Sequence, residues 1–256
     1  MSRQDAKTSD RGLADRLIQY IRPRLVAGFA PAPIAVAPDL WSIDRRYRLP
    51  GGLRLPTRAT VIRLSSGGLL VVSPPPVEAG GLEQLDALGA VEEVLVPNSF
   101  HYLGAAAFSA RYPRAALRLA PGLHARVAGL RGDELGETPA SWGCLVEPLV
   151  LGPVRGIAEV ALFHRPSATL ILTDVAFNMT RFESGLDRLL WRLNGVPADF
   201  GPSRTARQFL LRDRAAARAF VAGVLTWPFE RVLVAHGEPL AADAVATFRR
   251  AFSAYL

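Results

Sequence analysis

Three short apolar segments of the chain each lead into a loop that carries a histidine or an aspartate. His101 lies in the loop after the segment VEEVLV, Asp174 follows TLILT, and His236 lies just after RVLV. Because ligands of open α/β proteins bind beyond the carboxyl ends of the strands, we expect these three side chains to face one shared cavity. Imidazole and carboxylate groups gathered at one point can hold a metal ion or exchange protons with a substrate.

The residues alone leave two arrangements open. In the first, His101, Asp174 and His236 hold a single zinc or iron ion, for which two imidazoles and one carboxylate are a suitable ligand set. In the second, no metal is bound, and one of the two histidines is a general base whose imidazole Asp174 orients, because such a pair tunes a histidine near pH 7. In both arrangements these three side chains are the predicted catalytic residues.

Polar residues close in sequence to these three are candidates for contacting a ligand in the same cavity. We predict this role for Asn98, Tyr102, Asn178 and Glu238. For two of them a local structural role is an alternative: Asn178 could begin a helix, and Glu238 could cap the last helix or pair with an arginine.

The elements that must position these loops alternate between strand and helix. Strands are predicted over residues 41–49, 58–64, 69–72, 91–96, 116–119, 146–151, 157–164, 169–173 and 231–234. Helices are predicted over residues 82–88, 105–111, 181–193, 212–225 and 241–255. His164 ends one strand just before Arg165 and Pro166, so it is expected in a surface turn. The order predicts an α/β protein with an αββα four-layer sandwich, in which two mixed sheets stack face to face and helices cover them.

The first part of the chain differs from the rest. Residues 8–28 show apolar positions at helical spacing with arginines between them, which predicts an amphipathic helix. A stretch rich in proline and alanine, residues 30–38, follows as a stiff connector. The predicted division is therefore 1–38 for the helix and connector and 39–256 for the main domain. The helix could lie on a membrane surface, but packing on the domain is favoured because no terminal aromatic anchor is present.

Composition narrows the function classes. Half of the 256 residues are hydrophobic, and the net charge is +7, nearly all of it from arginine because Lys7 is the only lysine. The arginines are scattered and no nucleic-acid-binding motif accompanies them, so a small and perhaps anionic ligand is expected and nucleic acid is not. Cys144, the single cysteine, excludes an intramolecular disulfide and a thiolate cluster. No apolar run approaches the roughly 18 residues that cross a membrane, so a cytoplasmic protein is expected.

Four segments in order resemble the metallo-β-lactamase superfamily and, more closely, an uncharacterised branch of it, a domain family of unknown function. They are PTRATVIRLSSGGLLVVSPP, VLVPNSFHYLGAAAFSARYP, LTDVAFN and LVAHGEP. The resemblance covers approximately residues 39–256 and implies the same αββα fold. By position, Asp174 matches the bridging aspartate of the superfamily and His236 matches its final histidine.

The chain departs from the superfamily at most of the metal ligands. Working members carry a His-x-His-x-Asp-His loop, whereas this loop offers only His101, and residues 151–156 contain no histidine. A two-metal site is therefore not expected. We expect no cofactor, with one zinc or iron ion as the alternative. The resemblance leaves two functions open: a hydrolase-like enzyme with a degenerate site, or a non-catalytic relative that binds a small ligand or a protein. It fixes neither a substrate nor an oligomeric state.

Overall fold

The computed structural model describes residues 24–25, 32–49, 52–77, 82–124, 127, 129–154 and 156–256. These residues form two β-sheets and six α-helices. The larger sheet contains β1 Arg24–Leu25, β2 Ile34–Ala37, β3 Leu40–Arg48, β4 Arg54–Arg63, β5 Leu69–Val72, β6 Val91–Val96, β7 Ala116–Leu119 and β8 Asp133–Glu134. The smaller sheet contains β9 Val146–Val154, β10 Ile157–His164, β11 Thr169–Leu172 and β12 Arg231–Val234. The helices are α1 Glu83–Leu88, α2 Ala105–Arg111, α3 Gly185–Leu193, α4 Arg204–Phe209, α5 Arg214–Val224 and α6 Ala244–Ala251.

Both sheets are mixed. In the larger sheet the strand order is β1-β3-β4-β5-β6-β7-β8, with β2 paired to the other part of β3. Its first strands are antiparallel, and β5 to β8 run parallel to one another. In the smaller sheet the order is β9-β10-β11-β12, antiparallel except for the parallel pair β11 and β12. The parallel pairs matter for function because their carboxyl ends meet at one edge.

Three hydrophobic cores separate four layers. Ile62 of β4 packs between the sheets in one cluster with Leu162 of β10 and Ile171 of β11. The neighbouring residue Val61 points the other way, into a second cluster with residues of α1 and α2. Residues of β10, β11 and β12 whose side chains point away from the larger sheet pack in a third cluster with α4, α5 and α6. Alternate residues of a strand face opposite sides of its sheet, so both sheets are buried on both faces. The predicted αββα sandwich is confirmed.

Near the N-terminus, the described residues form strands where the sequence predicted a helix and a connector. Most of the predicted helix over 8–28 lies outside the described residues, but Arg24 and Leu25 pair as β1 with Arg48 and Tyr47 of β3. Within the predicted connector 30–38, residues 34–37 form β2 and belong to the larger sheet. Prolines flank this short strand at the sheet edge, where a missing backbone donor is tolerated.

Several helix boundaries are narrower than predicted, because polar residues cap the helices later in the sequence. Ser184 caps α3 by accepting a hydrogen bond from the Asp187 backbone N–H, and Asp213 caps α5 in the same way. Helix α4, which Ser203 caps, was not predicted at all. Among the described residues, none of the helices combines the length and the apolar character needed to cross a membrane.

The expected surface position of His164 is wrong. Its side chain is fully buried at the end of β10, and its Nδ1 lies 2.7 Å from the Ser167 hydroxyl. Burial lowers the pKa of His164 to about 4, and the charge of Asp39 opposes that shift only in part. His164 is therefore neutral in the folded protein near pH 7.

This burial predicts a pH dependence of stability. An unfolded histidine takes up a proton near pH 6.5, so stability falls as the pH drops from about 6.5 towards 4. Between pH 7 and pH 4.5, the free energy of unfolding of His164→Leu is expected to rise by about 2 kcal/mol relative to that of the wild type. Urea unfolding at both pH values measures this difference in stability, and His124→Ala, at an exposed histidine, is the control. Parallel pH dependence in the wild type and His164→Leu would contradict the assignment.

Candidate metal centre

Strand register brings two of the predicted site residues side by side. Leu172 of β11 is the Cα partner of Val234 of β12, and these strands are parallel. Asp174 and His236 each lie two residues beyond these partners, so they leave the same edge of the smaller sheet at the same level. His101 approaches from the larger sheet, in the loop that joins β6 to α2.

The three side chains meet at one point. His101 Nε2 lies 3.2 Å from Asp174 Oδ2, and His236 Nε2 lies 3.2 Å from Asp174 Oδ1. The two Nε2 atoms are also 3.2 Å apart. Both histidine side chains are 4% exposed and that of Asp174 is 15% exposed, so a narrow opening reaches the carboxylate. The structure thus brings together the residues on which the sequence-based hypothesis depends.

Contacts on the far side of each ring fix which nitrogen faces the centre. His236 Nδ1 donates a hydrogen bond to the Pro56 carbonyl oxygen at 2.8 Å, so a neutral His236 presents an unprotonated Nε2 to the centre. His101 Nδ1 is hydrogen-bonded to the Ser73 hydroxyl, and its Nε2 also points at Asp174. Phe177 stacks on the His236 ring at a centroid distance of 4.7 Å. These contacts hold two imidazole nitrogens towards one carboxylate, an arrangement that attracts a cation.

Asn98 links two of the three loops. Its Nδ2 donates to Asp174 Oδ2 at 2.8 Å and to the Thr173 hydroxyl at 2.9 Å. Its Oδ1 accepts hydrogen bonds from the backbone N–H groups of Phe100 and His101. One fully buried side chain therefore sets the position of both His101 and Asp174.

Glu159 of β10 is a buried carboxyl group that the sequence analysis did not single out. It has no exposed surface, and its two oxygens accept hydrogen bonds from the backbone N–H groups of Thr173 and Asp174, each at 2.9 Å. Burial and the neighbouring charge of Asp174 raise the pKa of Glu159 to about 7, against the opposing effect of the backbone donors. Its signal in the sequence is a single carboxylate inside the apolar strand IAEVALFH.

Asp174 stays ionised for the opposite reason. Burial by itself would raise the pKa of this carboxyl, but His101 and His236, when their rings carry a proton, hold it well below the usual range by their charges and hydrogen bonds. An ionised carboxylate between two imidazoles is available as a metal ligand, because no proton has to leave it first.

The four predicted ligand-contacting residues fall in different places. Tyr102 lines the cavity in front of the centre, whereas the other three are not among its lining residues. Asn98 lies behind Asp174. Asn178 donates from Nδ2 to the Glu238 carbonyl oxygen at 2.8 Å, and its backbone N–H donates to the His236 carbonyl oxygen at 3.0 Å. Both therefore support the site from behind.

Of the two alternatives that the sequence left open for Glu238, the structure shows a long surface ion pair with an arginine and no cap on the last helix. Its carboxylate lies 3.9 Å from Arg181 Nη1 at the surface, and α6 begins after Asp243 without a side-chain cap. The tight turn before it requires glycine, because a Cβ on Gly237 would meet the Asn178 carbonyl oxygen at 2.1 Å. Gly237 has φ 105°, which glycine tolerates best.

A cavity of about 620 Å³ opens in front of the three side chains. Its walls come from β3, β4, the loop after β5, the loop after β6, and the segments around α3 and α4. The cavity wall also contains polar residues that sequence reasoning missed, among them Arg45, Thr57 and Ser73. Ser73 directly follows β5 and has φ 58°, an uncommon value outside glycine that often marks functional sites.

The ligand atoms fit one metal ion. At zinc–nitrogen distances of about 2.0–2.1 Å, tetrahedral geometry places two ligand nitrogens roughly 3.3 Å apart, and the two Nε2 atoms are 3.2 Å apart. Across the described part of the chain, His101, Asp174 and His236 are the one group of three His, Cys, Asp or Glu side chains whose ligand atoms all lie within 4.8 Å of one another. A second complete set, which two metals need, is absent from the described residues.

Because Asn98 positions His101 and Asp174, we expect its substitution to lower the metal affinity. Asn98→Ala should weaken zinc binding about 10- to 100-fold, the range for loss of a group that orients metal ligands. Competition with a fluorescent zinc chelator measures the affinity, and Asn194→Ala, which removes an exposed hydrogen bond to the Leu190 carbonyl, is the matched control. Equal affinities in the two variants would show that Asn98 does not orient the ligands.

Comparisons with solved structures find the same fold at low sequence identity. The metallo-β-lactamase from Erythrobacter litoralis is similar with a TM-score of 0.59 and 12% identity, covering 90% of this chain and 100% of that chain. FIM-1 from Pseudomonas aeruginosa, in its mono-zinc form, gives a TM-score of 0.58 and 10% identity over 88% of this chain and 96% of that chain. TMB-1 gives a TM-score of 0.61 and 12% identity over 88% of this chain and 98% of that chain.

Sequence comparisons identify the family. No curated protein sequence matches the chain significantly. Residues 38–189 match the family described as "Domain of unknown function (DUF4336)", which is more than half of the chain. The chain therefore belongs to the DUF4336 family, a divergent branch with the metallo-β-lactamase fold.

Proposed function

We propose that the protein is a hydrolase-like enzyme that works with a single zinc or iron ion held by His101, Asp174 and His236. The observation that carries this proposal is the convergence of two Nε2 atoms and one carboxylate at mutual distances of 3.2 Å. The sequence alone predicts a metal-free site, with one zinc or iron ion as the alternative. The geometry favours the alternative, because the Pro56 carbonyl leaves a neutral His236 with a lone pair, and no proton, facing Asp174.

A single bound metal would supply Lewis-acid polarisation of a substrate carbonyl or phosphoryl oxygen, since three protein ligands leave an open position. The structure of FIM-1 in its mono-zinc form has the same fold, which supports the proposal that this fold can hold a single ion. Asp174 would provide the negative charge, and the two histidines the neutral nitrogens.

The remaining groups of the chain prepare the substrate. The buried Arg45 and the Thr57 hydroxyl line the cavity beside the centre and suit the oxygen atoms of a polarised or anionic group. The wall is mostly apolar, so a substrate that fills the cavity would displace water from it, which strengthens the attraction between these groups and the substrate.

Metal content and turnover together test the proposal. The purified protein, loaded with zinc or iron, is assayed against a panel of esters, lactones and phosphoesters. At least one substrate should turn over, and His101→Ala and Asp174→Asn should both abolish the turnover while the exposed His124→Ala does not.

Two results would overturn the proposal. Turnover that persists after complete metal removal would show that the chemistry needs no metal. A tightly bound metal with no turnover on any substrate would favour the other reading, a non-catalytic relative that binds a ligand in the same cavity.

A further inference from the structure

The cavity has two chemically different walls. Near the metal centre its wall carries Arg45, which is only 4% exposed, and Thr57. Farther along, the wall is formed by apolar side chains of the segment after β3, of β4 and of the α3 region. These are Leu49, Leu53, Leu55, Trp191 and Val196.

Strand pairing places the two polar residues of this wall side by side, next to a residue that contacts His236. Arg45 of β3 and Thr57 of β4 are Cα partners across the antiparallel pair. Pro56, the residue before Thr57, accepts the hydrogen bond from His236 Nδ1. The Thr57 hydroxyl oxygen is buried and finds no hydrogen-bond partner among the described residues. A buried cation and an unused hydroxyl at a cavity wall favour a ligand oxygen at this position.

The apolar wall is suited to an aliphatic chain. Leucine and valine side chains dominate it, and two polar side chains on the same wall are already used locally. The Ser203 hydroxyl accepts from the Ala206 backbone N–H, and Asn194 donates to the Leu190 carbonyl. A sugar or a peptide needs donors and acceptors along its whole length, whereas polar side chains are few on this wall beside its apolar ones.

We propose that this cavity binds amphipathic acyl compounds, with the carboxylate or carbonyl oxygen at Arg45 and Thr57 and the alkyl chain along the apolar wall. The volume of about 620 Å³ lies within the roughly 300–1,000 Å³ of small-ligand pockets. The inference rests on the proposed function only for the reaction, because it places the acyl carbon of an ester or thioester next to the metal centre. Binding itself needs no metal.

Binding of a saturated fatty-acid series to metal-free protein tests the inference. Titration calorimetry with octanoate, decanoate and dodecanoate, each below its micelle concentration, should give one site per chain. Because each buried methylene adds about 0.8 kcal/mol, equal to about a four-fold change in Kd, affinity should rise about ten-fold or more per two methylenes. Dodecanoate should bind more tightly than dodecanol, and Arg45→Met should remove that preference.

A pair of matched substitutions locates the chain. Leu55→Asp puts a charge into the apolar wall and should abolish dodecanoate binding, whereas Leu189→Asp, on the exposed face of α3, should leave it unchanged. In the unsubstituted protein, nuclear Overhauser contacts between the chain methylenes and the Trp191 ring give the same answer without relying on a variant that may not fold.

The result separates this inference from the proposed function. Affinity that does not depend on chain length, or a chain with no contact to Trp191, would overturn the acyl-chain assignment whether or not the protein binds zinc. Chain-length-dependent binding in a protein that never binds a metal would support the assignment while removing the proposed hydrolase.

Discussion

Replacing His236 by alanine is expected to remove zinc-dependent stabilisation of the protein. One bound ion at a free concentration of a hundred times its Kd stabilises the folded state by about 2.7 kcal/mol. Loss of one of three ligands should lower the zinc affinity by more than about 100-fold, which is the largest loss usual for a residue that only orients a ligand. At the same zinc concentration the variant would then gain about 0.4 kcal/mol or less. Denaturant unfolding with and without zinc measures both values.

The stability of each variant with zinc is compared with that of the same variant without zinc. This is necessary because His236→Ala also removes the ring that packs on Phe177 and lowers the stability of the metal-free protein. The matched control is His124→Ala. His124 is exposed, and its Nε2 is hydrogen-bonded to the Gly132 carbonyl oxygen, outside the centre. This control should keep the full stabilisation by zinc. A zinc effect that survives in His236→Ala would place the metal elsewhere.

Glu159→Ala should produce the largest loss of stability. The variant leaves the backbone N–H groups of Thr173 and Asp174 buried without an acceptor, and each unsatisfied donor costs about 1–3 kcal/mol. A cavity in the fully buried β10 adds to this, so we expect a total of about 3–5 kcal/mol. The Asp174 loop should lose its position as well, which would weaken zinc binding.

Glu159→Gln and Glu230→Ala divide this effect into its causes. Glutamine keeps the volume but turns an NH₂ group towards one of the two backbone donors, so an intermediate loss of about 1–3 kcal/mol is expected. Glu230 is exposed, and its removal should change stability by about 0.5 kcal/mol or less. Thermal unfolding of the three variants gives the ranking. A Glu159→Ala protein as stable as Glu230→Ala would refute the structural role assigned to this carboxyl.

Most of the fold was predictable because its strands are apolar and end at clear turns. The segments LLVV and RVLV are fully or almost fully buried strands, and they were found from the hydrophobic run alone. Helix α4 was missed since its six residues, RTARQF, show no apolar periodicity and depend on the Ser203 cap. The short strands β1 and β2 were missed for a related reason: edge strands beside prolines carry little local signal, and pairing with β3 creates them.

The centre itself was predictable, but its surroundings were not. His101, Asp174 and His236 were found because each follows a buried strand, and parallel strands end at a common edge. The Pro56 carbonyl, in contrast, is a backbone group with no signature in the sequence. Arg45 and Thr57 become neighbours of the centre only through the register between β3 and β4. Asn98 was found, but the sequence could not show that its amide faces Asp174 and not a ligand.

Anomalous diffraction from zinc-soaked crystals, recorded at the zinc absorption edge, tests the single-metal centre most directly. We predict one anomalous peak per chain, about 2.0–2.2 Å from Nε2 of His101, Nε2 of His236 and an oxygen of Asp174. No peak at this position, or two peaks roughly 3.5–4 Å apart as in two-metal enzymes, would contradict the account.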